Sequence, residues 1–345
     1  MQDNNFCTLF DRNYLYKGLA LYRSLVRTCP DFTLWILCMD DTVYHFLVDA
    51  GLAGVRLIAL SDFEDSELLR IKPTRSAAEY CWTCTPSLLL YILKNNPQCA
   101  SVTYLDADLF FYSDPQSVYA ELSGNSILIV EHRYPPQLKK YEAIYGRYNV
   151  QFLVFRNDPV AFACLERWRR QCNDWCYLKY ETGKWGDQKY LDDWCEQFKG
   201  VRAIAHQGAG VAPWNVAAYS VKKDEGKIFI DHSELVFYHF HQLDIITPRE
   251  FDLTRGYKLS CGAIQHIYMA YLRELNSVIS YVAQKDPSFH HGYSVVYDLR
   301  PSSLATVVKS RVLRSPWIKN IARTCLGWCM GKYYYRIKLN AQYGR

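Results

Sequence analysis

Between residues 5 and 155 the chain alternates short β-branched and aromatic runs with longer segments of helical period, and few architectures accept that alternation. Strands are expected over residues 5–10, 32–38, 55–60, 126–130 and 149–155, with a further short one ending at Leu105. Helices should fill residues 14–28, apolar at Leu15, Leu19, Leu21, Tyr22 and Leu25, and residues 77–94. Asp158-Pro159 should open another that reaches residue 176. Strand, helix and strand in succession imply crossover connections, hence a mostly parallel sheet covered on both faces. The second half is mixed, with a shorter helix over 188–198 and strands over 201–205, 227–230 and 235–240. The fold class is α/β, and Pro248 marks the expected boundary between a domain of residues 1–248 and a helical region of 249–345.

One stretch conflicts with simple burial. In SVTYLDADLFFYSDP, Asp106 and Asp108 stand one residue apart where an apolar run enters the core. Residues two apart in extended chain share a face, and neighbouring carboxylates raise each other's pKa unless they share a cation. A hard divalent ion such as Mg²⁺ or Mn²⁺ removes the repulsion and accepts oxygen ligands. Ser113-Asp114-Pro115 then reads as a helix start, so the pattern is strand, acidic turn, helix. Ligands bind at that carboxyl edge in open α/β sheets. A surface turn whose aspartates merely accept backbone N–H groups is the alternative.

Composition narrows the class. Of 345 residues 50% are hydrophobic and 15% aromatic, which excludes a disordered chain. No run approaches about 20 uncharged apolar residues, and the start MQDNNFCTLF lacks a basic leader. A cytoplasmic location is expected, and the 13 cysteines, an odd number scattered through core positions, suit buried thiols in a reducing compartment. The net charge of +5 is uneven, because residues 301–345 hold nine Lys or Arg and no acid, leaving 31 basic against 35 acidic groups before them. No nucleic-acid motif accompanies the basic tail, so nucleic acid is not an expected partner.

Four further stretches carry candidate residues. Thr8, Asp11, Asn13 and Tyr14 in CTLFDRNY follow the first strand, and Asn149 leads the strand in YNVQFLVF. Asp187 and Gln188 sit beside a glycine in GDQKYLDDW, and LVFYHFHQL ends in His239 and His241. A strand-end acidic pair plus a histidine from a distant strand makes an oxygen, oxygen, nitrogen metal site with open positions. Singly each is ordinary: a turn asparagine, a helix cap, a core histidine.

In this order the stretches resemble the retaining glycosyltransferases of family 8, the group of glycogenin and the bacterial lipopolysaccharide galactosyltransferases. The resemblance covers residues 5 to about 245. It implies the glycosyltransferase A fold, a Rossmann-like sheet binding a nucleotide sugar. YLDADLFF is similar to the family's D-x-D motif, which implies Mn²⁺ or Mg²⁺ and the diphosphate of a UDP-sugar on Asp106 and Asp108. FDRNY resembles the uridine-binding segment, and YNVQFLVF the F-N-x-G strand, which carries Asn149 over as a donor-site residue. GDQKYLD is similar to G-D-Q-x-x-L-N, implying that Asp187 and Gln188 line the sugar pocket. VFYHFHQL resembles the V-H-F-x-G strand and implies His239 as the third metal ligand.

Departures accompany the likeness. Gln151 replaces the family glycine, and Gln242-Leu243-Asp244 stand where a phosphate-binding lysine would follow. Lys72 or Arg75 in KPTRS is the expected replacement for that charge. The earlier HQGAGVAPW offers His206 as a lesser ligand candidate, with Trp214 and Asn215 shaping a donor or acceptor pocket. Cys81-Trp-Thr-Cys84 lacks the second pair that zinc would need. The D-x-D of haloacid dehalogenase phosphatases is also similar, but it stands on the first strand and is followed by a small or hydroxyl residue, whereas Leu109 follows here.

The tail places Trp317, Ile318, Ile321, Ala322, Cys325, Leu326, Cys329 and Met330 on one helical stripe flanked by Lys319, Arg323 and Lys332. An anionic membrane surface fits this pattern, and a helix docked on the domain is the alternative. The expected function is metal-dependent transfer of a sugar from a UDP-sugar to a glycan or lipid-linked glycan, with retention. An inverting transferase, or a binding module without turnover, is the alternative.

Overall fold

A computed structural model describes residues 4–29, 31–294 and 334–339. The tail stripe from Trp317 to Met330 lies outside the described residues.

The central sheet has seven strands: β1 (Asn4–Phe10), β2 (Phe32–Cys38), β3 (Val55–Ala59), β4 (Ser101–Leu105), β6 (Ile127–Glu131), β7 (Tyr148–Arg156) and β8 (Val201–Ala203), ordered β3-β2-β1-β4-β7-β6-β8. The strand β5 (Leu109–Phe111) leaves this sheet. β7 runs antiparallel to β4 and β6, and the other pairings are parallel, as the strand and helix alternation requires.

Both faces are covered. One carries the helices Leu15–Thr28 and Met269–Lys285 over Phe6, Phe10, Leu105 and Phe152. The other carries Ala77–Asn95 and Pro159–Asp174 over Cys7, Leu9, Val102 and Tyr104. Local chemistry starts these helices where the sequence indicates. Ser76 and Glu79 form a reciprocal capping box, and Asp158 accepts from Ala161 N with Pro159 in the first turn. Trp168 and Trp194 meet edge to face, fully buried, 5.2 Å apart.

The region after Pro248 differs from an all-helical extension. Asp244–Thr247 and Glu250–Arg255 form an antiparallel hairpin across Pro248, and Tyr334–Lys338 adds a third strand. The reason is a period of two, with Phe251 and Leu253 buried and Glu250 and Asp252 outward, where Arg336 meets Asp252 at 3.0 Å. The helix Met269–Lys285 follows and packs on Leu15–Thr28, with Glu274 joining Arg23 at 3.2 Å and Arg27 at 2.7 Å. The expected helix over 188–198 is a 3-10 turn, Gln188–Asp193, followed by one α turn, Trp194–Gln197.

Candidate metal and ligand centre

The acidic pair sits where the chain changes sheets. Asp106 N still donates to Gln151 O of β7 at 2.9 Å, and Leu109 N then closes a tight turn onto Asp106 O at 3.1 Å. β5 leaves the main sheet and pairs antiparallel with the strand Phe237–His239, in register Leu109 to His239. Phe240 N donates to Asp108 O and His239 N to Val211 O, both at 2.9 Å. His239 Nε2 consequently stands 3.0 Å from Asp108 Oδ1 and 3.7 Å from Asp106 Oδ2. One ligand atom from each of the three lies within 4.8 Å of the others, the group among the described residues with metal-ligand geometry.

Electrostatics show what the group lacks. Burial, acting with the neighbouring Asp108 and against His239, lifts the Asp106 carboxyl to about 6. Burial also opposes ionisation of Asp108, but His239 and the Lys17 ammonium outweigh it and hold that carboxyl well below the usual range. Burial lowers His239, yet the two aspartates raise it above the ordinary imidazole value. The imidazole and the two carboxylates thus favour one another's charged forms. The oxygen, oxygen, nitrogen donor set fits a divalent ion.

Of the three histidines open to the sequence, His239 joins the aspartates. His241 lies against Trp214 at 5.4 Å, and burial followed by the His239 charge pushes its pKa down to about 3. His206 accepts from Gly208 N through Nδ1 at 3.1 Å and is outside the group. The loop it begins is built around glycine, since a Cβ on Gly208 would overlap Glu234 O and one on Gly210, at φ +73, would overlap Val130 Cγ1. The loop sets Trp214 edge-on to His239 at 5.4 Å and ties Trp214 Nε1 to His132 O at 2.8 Å. Asn215 is wholly internal, donating to His132 O and Gly210 O and accepting from Ala212 N.

Two of the sugar-pocket candidates share a hydrogen-bond network. The β6 and β7 register shifts between Leu128 and Val130, a bulge that lets Asn149 turn on itself, with its Oδ1 accepting from Gln151 N at 2.9 Å. Asn149 Nδ2 reaches Gln188 Oε1 and His132 Nε2, each at 3.1 Å, and Gln188 Nε2 donates to Tyr145 O at 2.8 Å. The third candidate, Asp187, is buried, and that burial, with the Asp106 charge, drives its carboxyl far above the usual range. Both amide atoms of the buried Gln151 lack a partner among the described residues.

At the β1 edge, Asp11 Oδ1 accepts from Asn13 N at 2.9 Å and its Oδ2 from Asn13 Nδ2 at 3.0 Å. Tyr14 remains 42% exposed, and the Thr8 hydroxyl is buried without a partner among the described residues. Lys72 and Arg75 are committed elsewhere. Lys72 Nζ pairs with Glu64 at 2.6 Å, while Arg75 stacks on Tyr177 and donates to Cys172 O and Asn173 O, the carbonyl end of the helix Pro159–Asp174. The cysteines of the described residues are free thiols; Cys7, Cys81, Cys84 and Cys172 are pushed up by burial.

Sequence reasoning missed Lys17, Tyr104 and His132. Tyr104 OH donates to Asp106 Oδ1 at 3.1 Å, and Lys17 Nζ lies 3.9 Å from Asp108 Oδ2. Helical spacing held the signal for Lys17, which shares a stripe with the buried Leu21, Ser24 and Leu25.

No family model matches the chain. Solved structures similar to it include glycosyltransferases. They include the galactosyltransferase LgtC with donor and acceptor sugar analogs (16% identity, 79% of this chain and 95% of that one, TM-score 0.48). Mouse xyloside xylosyltransferase 1 aligns at 12% identity over 69% of this chain and 98% of that one, TM-score 0.45. Likenesses at this level assign neither a site nor an activity. Two Bacillus subtilis (strain 168) proteins are nearer: "Uncharacterized protein YfnF", 31% identical over 292 residues, 83% of this chain and 96% of that one, and "Uncharacterized protein YfnD", 34% identical over 296 residues, 85% and 95%. Identity at that level along nearly the whole of both relatives makes this chain a member of the family of YfnD and YfnF.

Proposed function

We propose that the protein is a metal-dependent glycosyltransferase that moves a sugar from a UDP-sugar to a glycan or lipid-linked glycan acceptor with retention of configuration. The observation that carries this is the Asp106, Asp108 and His239 group at the carboxyl edge of a mostly parallel sheet, with the buried Asp187 close enough for the Asp106 charge to act on it. Asn149 and Gln188, next along the chain to Asp187, are joined to each other by a hydrogen bond.

The residues divide the work as follows. Asp106, Asp108 and His239 would hold Mn²⁺ or Mg²⁺, which when bound neutralises charge on the departing nucleotide as a Lewis acid. Thr8, Asp11, Asn13 and Tyr14 at the end of β1 receive the uridine, with the half-exposed Tyr14 ring open to it. Asn149 and Gln188 orient the sugar hydroxyls from the bulged strand. Asp187 stands beside the reacting carbon, where positive charge develops as the glycosidic bond breaks. Trp214 holds His239 in place and walls the pocket. The acceptor hydroxyl then enters on the face from which UDP leaves.

No helix among the described residues is long and apolar enough to cross a membrane. Residues 301–345 attach the protein to an anionic membrane surface in this reading, which suits a lipid-linked acceptor on the cytoplasmic side. The test is UDP release from a panel of UDP-sugars with Mn²⁺, using the wild-type chain, Asp108→Asn and His239→Ala. Metal-dependent release from one donor, lost in both folded variants, is expected. Release of inorganic phosphate from sugar phosphates without any nucleotide requirement would refute the proposal.

A further inference from the structure

Lys17 is a buried cation without a full set of partners. It lies in the first turn of the helix Leu15–Thr28, and its side chain is 9% exposed. Its nearest carboxylate, Asp108, is 3.9 Å away, beyond hydrogen-bond distance. The Tyr14 ring lies 4.5 Å from Nζ and offers cation–π attraction but no acceptor. Asp244 is taken by Arg255 through two contacts at 2.6 and 2.7 Å. An ammonium has three donors, and burying it without acceptors is costly. No side chain caps this helix, so its free N–H groups add positive character at the same place.

Charge counting gives the missing group. Asp106 and Asp108 together balance a divalent ion, and Lys17 then leaves a surplus of one positive charge beside it. Two cations sharing Asp108 are stable together when an anion bridges them. We infer that Lys17 binds the phosphate groups of the donor's diphosphate, together with the metal on Asp106 and Asp108. This rests on the proposed transferase reading. It also supplies the cation expected of Lys72 or Arg75, both of which are paired elsewhere.

The test measures binding of Mn²⁺ alone, and of inorganic pyrophosphate, UMP and UDP with Mn²⁺, by calorimetry on the full chain. Lys17→Met should weaken UDP and pyrophosphate by about tenfold or more, the loss of a charge-assisted contact, and UMP by less than about threefold. Mn²⁺ alone should bind more tightly, because a competing cation has gone from Asp108. Equal losses for UMP and UDP, or a UDP affinity within about twofold of wild type, would overturn the inference. If Lys17→Met does not fold, reductive methylation of the wild-type chain decides: Mn²⁺ with pyrophosphate should shield Lys17, and unchanged labelling counts against the inference. A wild-type chain that binds pyrophosphate with Mn²⁺ but no uridine nucleotide would sink the donor assignment and leave the Lys17 role standing.

Discussion

Asp106 should destabilise the protein until metal arrives, and Asp106→Asn exposes that cost. The Asp106 carboxyl is raised from 3.8 to about 6 by burial and by Asp108, against the pull of His239. At about 1.4 kcal/mol per pH unit this corresponds to about 3 kcal/mol, and access of solvent to 28% of the side chain brings it to roughly 1–3 kcal/mol. A raised carboxyl costs nothing below the unfolded value, where both states are protonated. The cost grows through the interval from 3.8 to about 6 and is full above it. Asparagine keeps the shape and still accepts from Tyr104 OH. Asp106→Asn should therefore melt at least about 2 °C above wild type at pH 8 with EDTA, with a smaller advantage at pH 5. Saturating Mn²⁺ should reverse the order, since a ligand at 100 times its Kd adds about 2.7 kcal/mol to the wild type alone. Calorimetric melting at the two pH values, with EDTA or Mn²⁺, reads both effects. A variant less stable than wild type in EDTA at pH 8, or one keeping the full Mn²⁺ increment, would refute the reasoning.

Asp108→Asn should act with the opposite sign on the metal-free protein. Its depressed carboxyl stabilises the fold above the ordinary carboxylate range and loses that contribution as pH falls through it, so the variant should lose roughly 1–3 kcal/mol at pH 7 in denaturant melts. Asp187→Asn removes a carboxyl whose ionisation burial and the Asp106 charge oppose, so melting of the metal-free protein should not fall, while UDP release, which draws on the Asp187 charge once a cation balances Asp106, falls at least about 100-fold. Gly210→Ala should cost about 2 kcal/mol or more, since φ +73 disfavours a Cβ that would also strike Val130; reduced Mn²⁺ stabilisation should accompany it through Trp214.

Much of the sheet was legible because β1, β2, β4 and β7 are buried strands whose side chains are apolar on both faces, and the helices between them carry local start signals. Asp106, Asp108 and His239 were legible as residue types at strand ends, although only the pairing of β5 with Phe237–His239 separates His239 from His241. Lys17 was hidden because a lysine in a helix ordinarily faces water, and its approach to Asp108 comes from tertiary packing. Lys72 and Arg75 drew attention as local charges, but their partners Glu64 and the carbonyls of Cys172 and Asn173 come from tertiary packing. The hairpin after Pro248 was readable from the alternation in EFDLTR, which the preceding proline obscured.

The most direct test is calorimetric titration of UDP into the full chain with Mn²⁺, with EDTA, and into Asp108→Asn with Mn²⁺. The account predicts binding in the first case alone. UDP binding of equal strength in EDTA, or undiminished binding to Asp108→Asn, would contradict it.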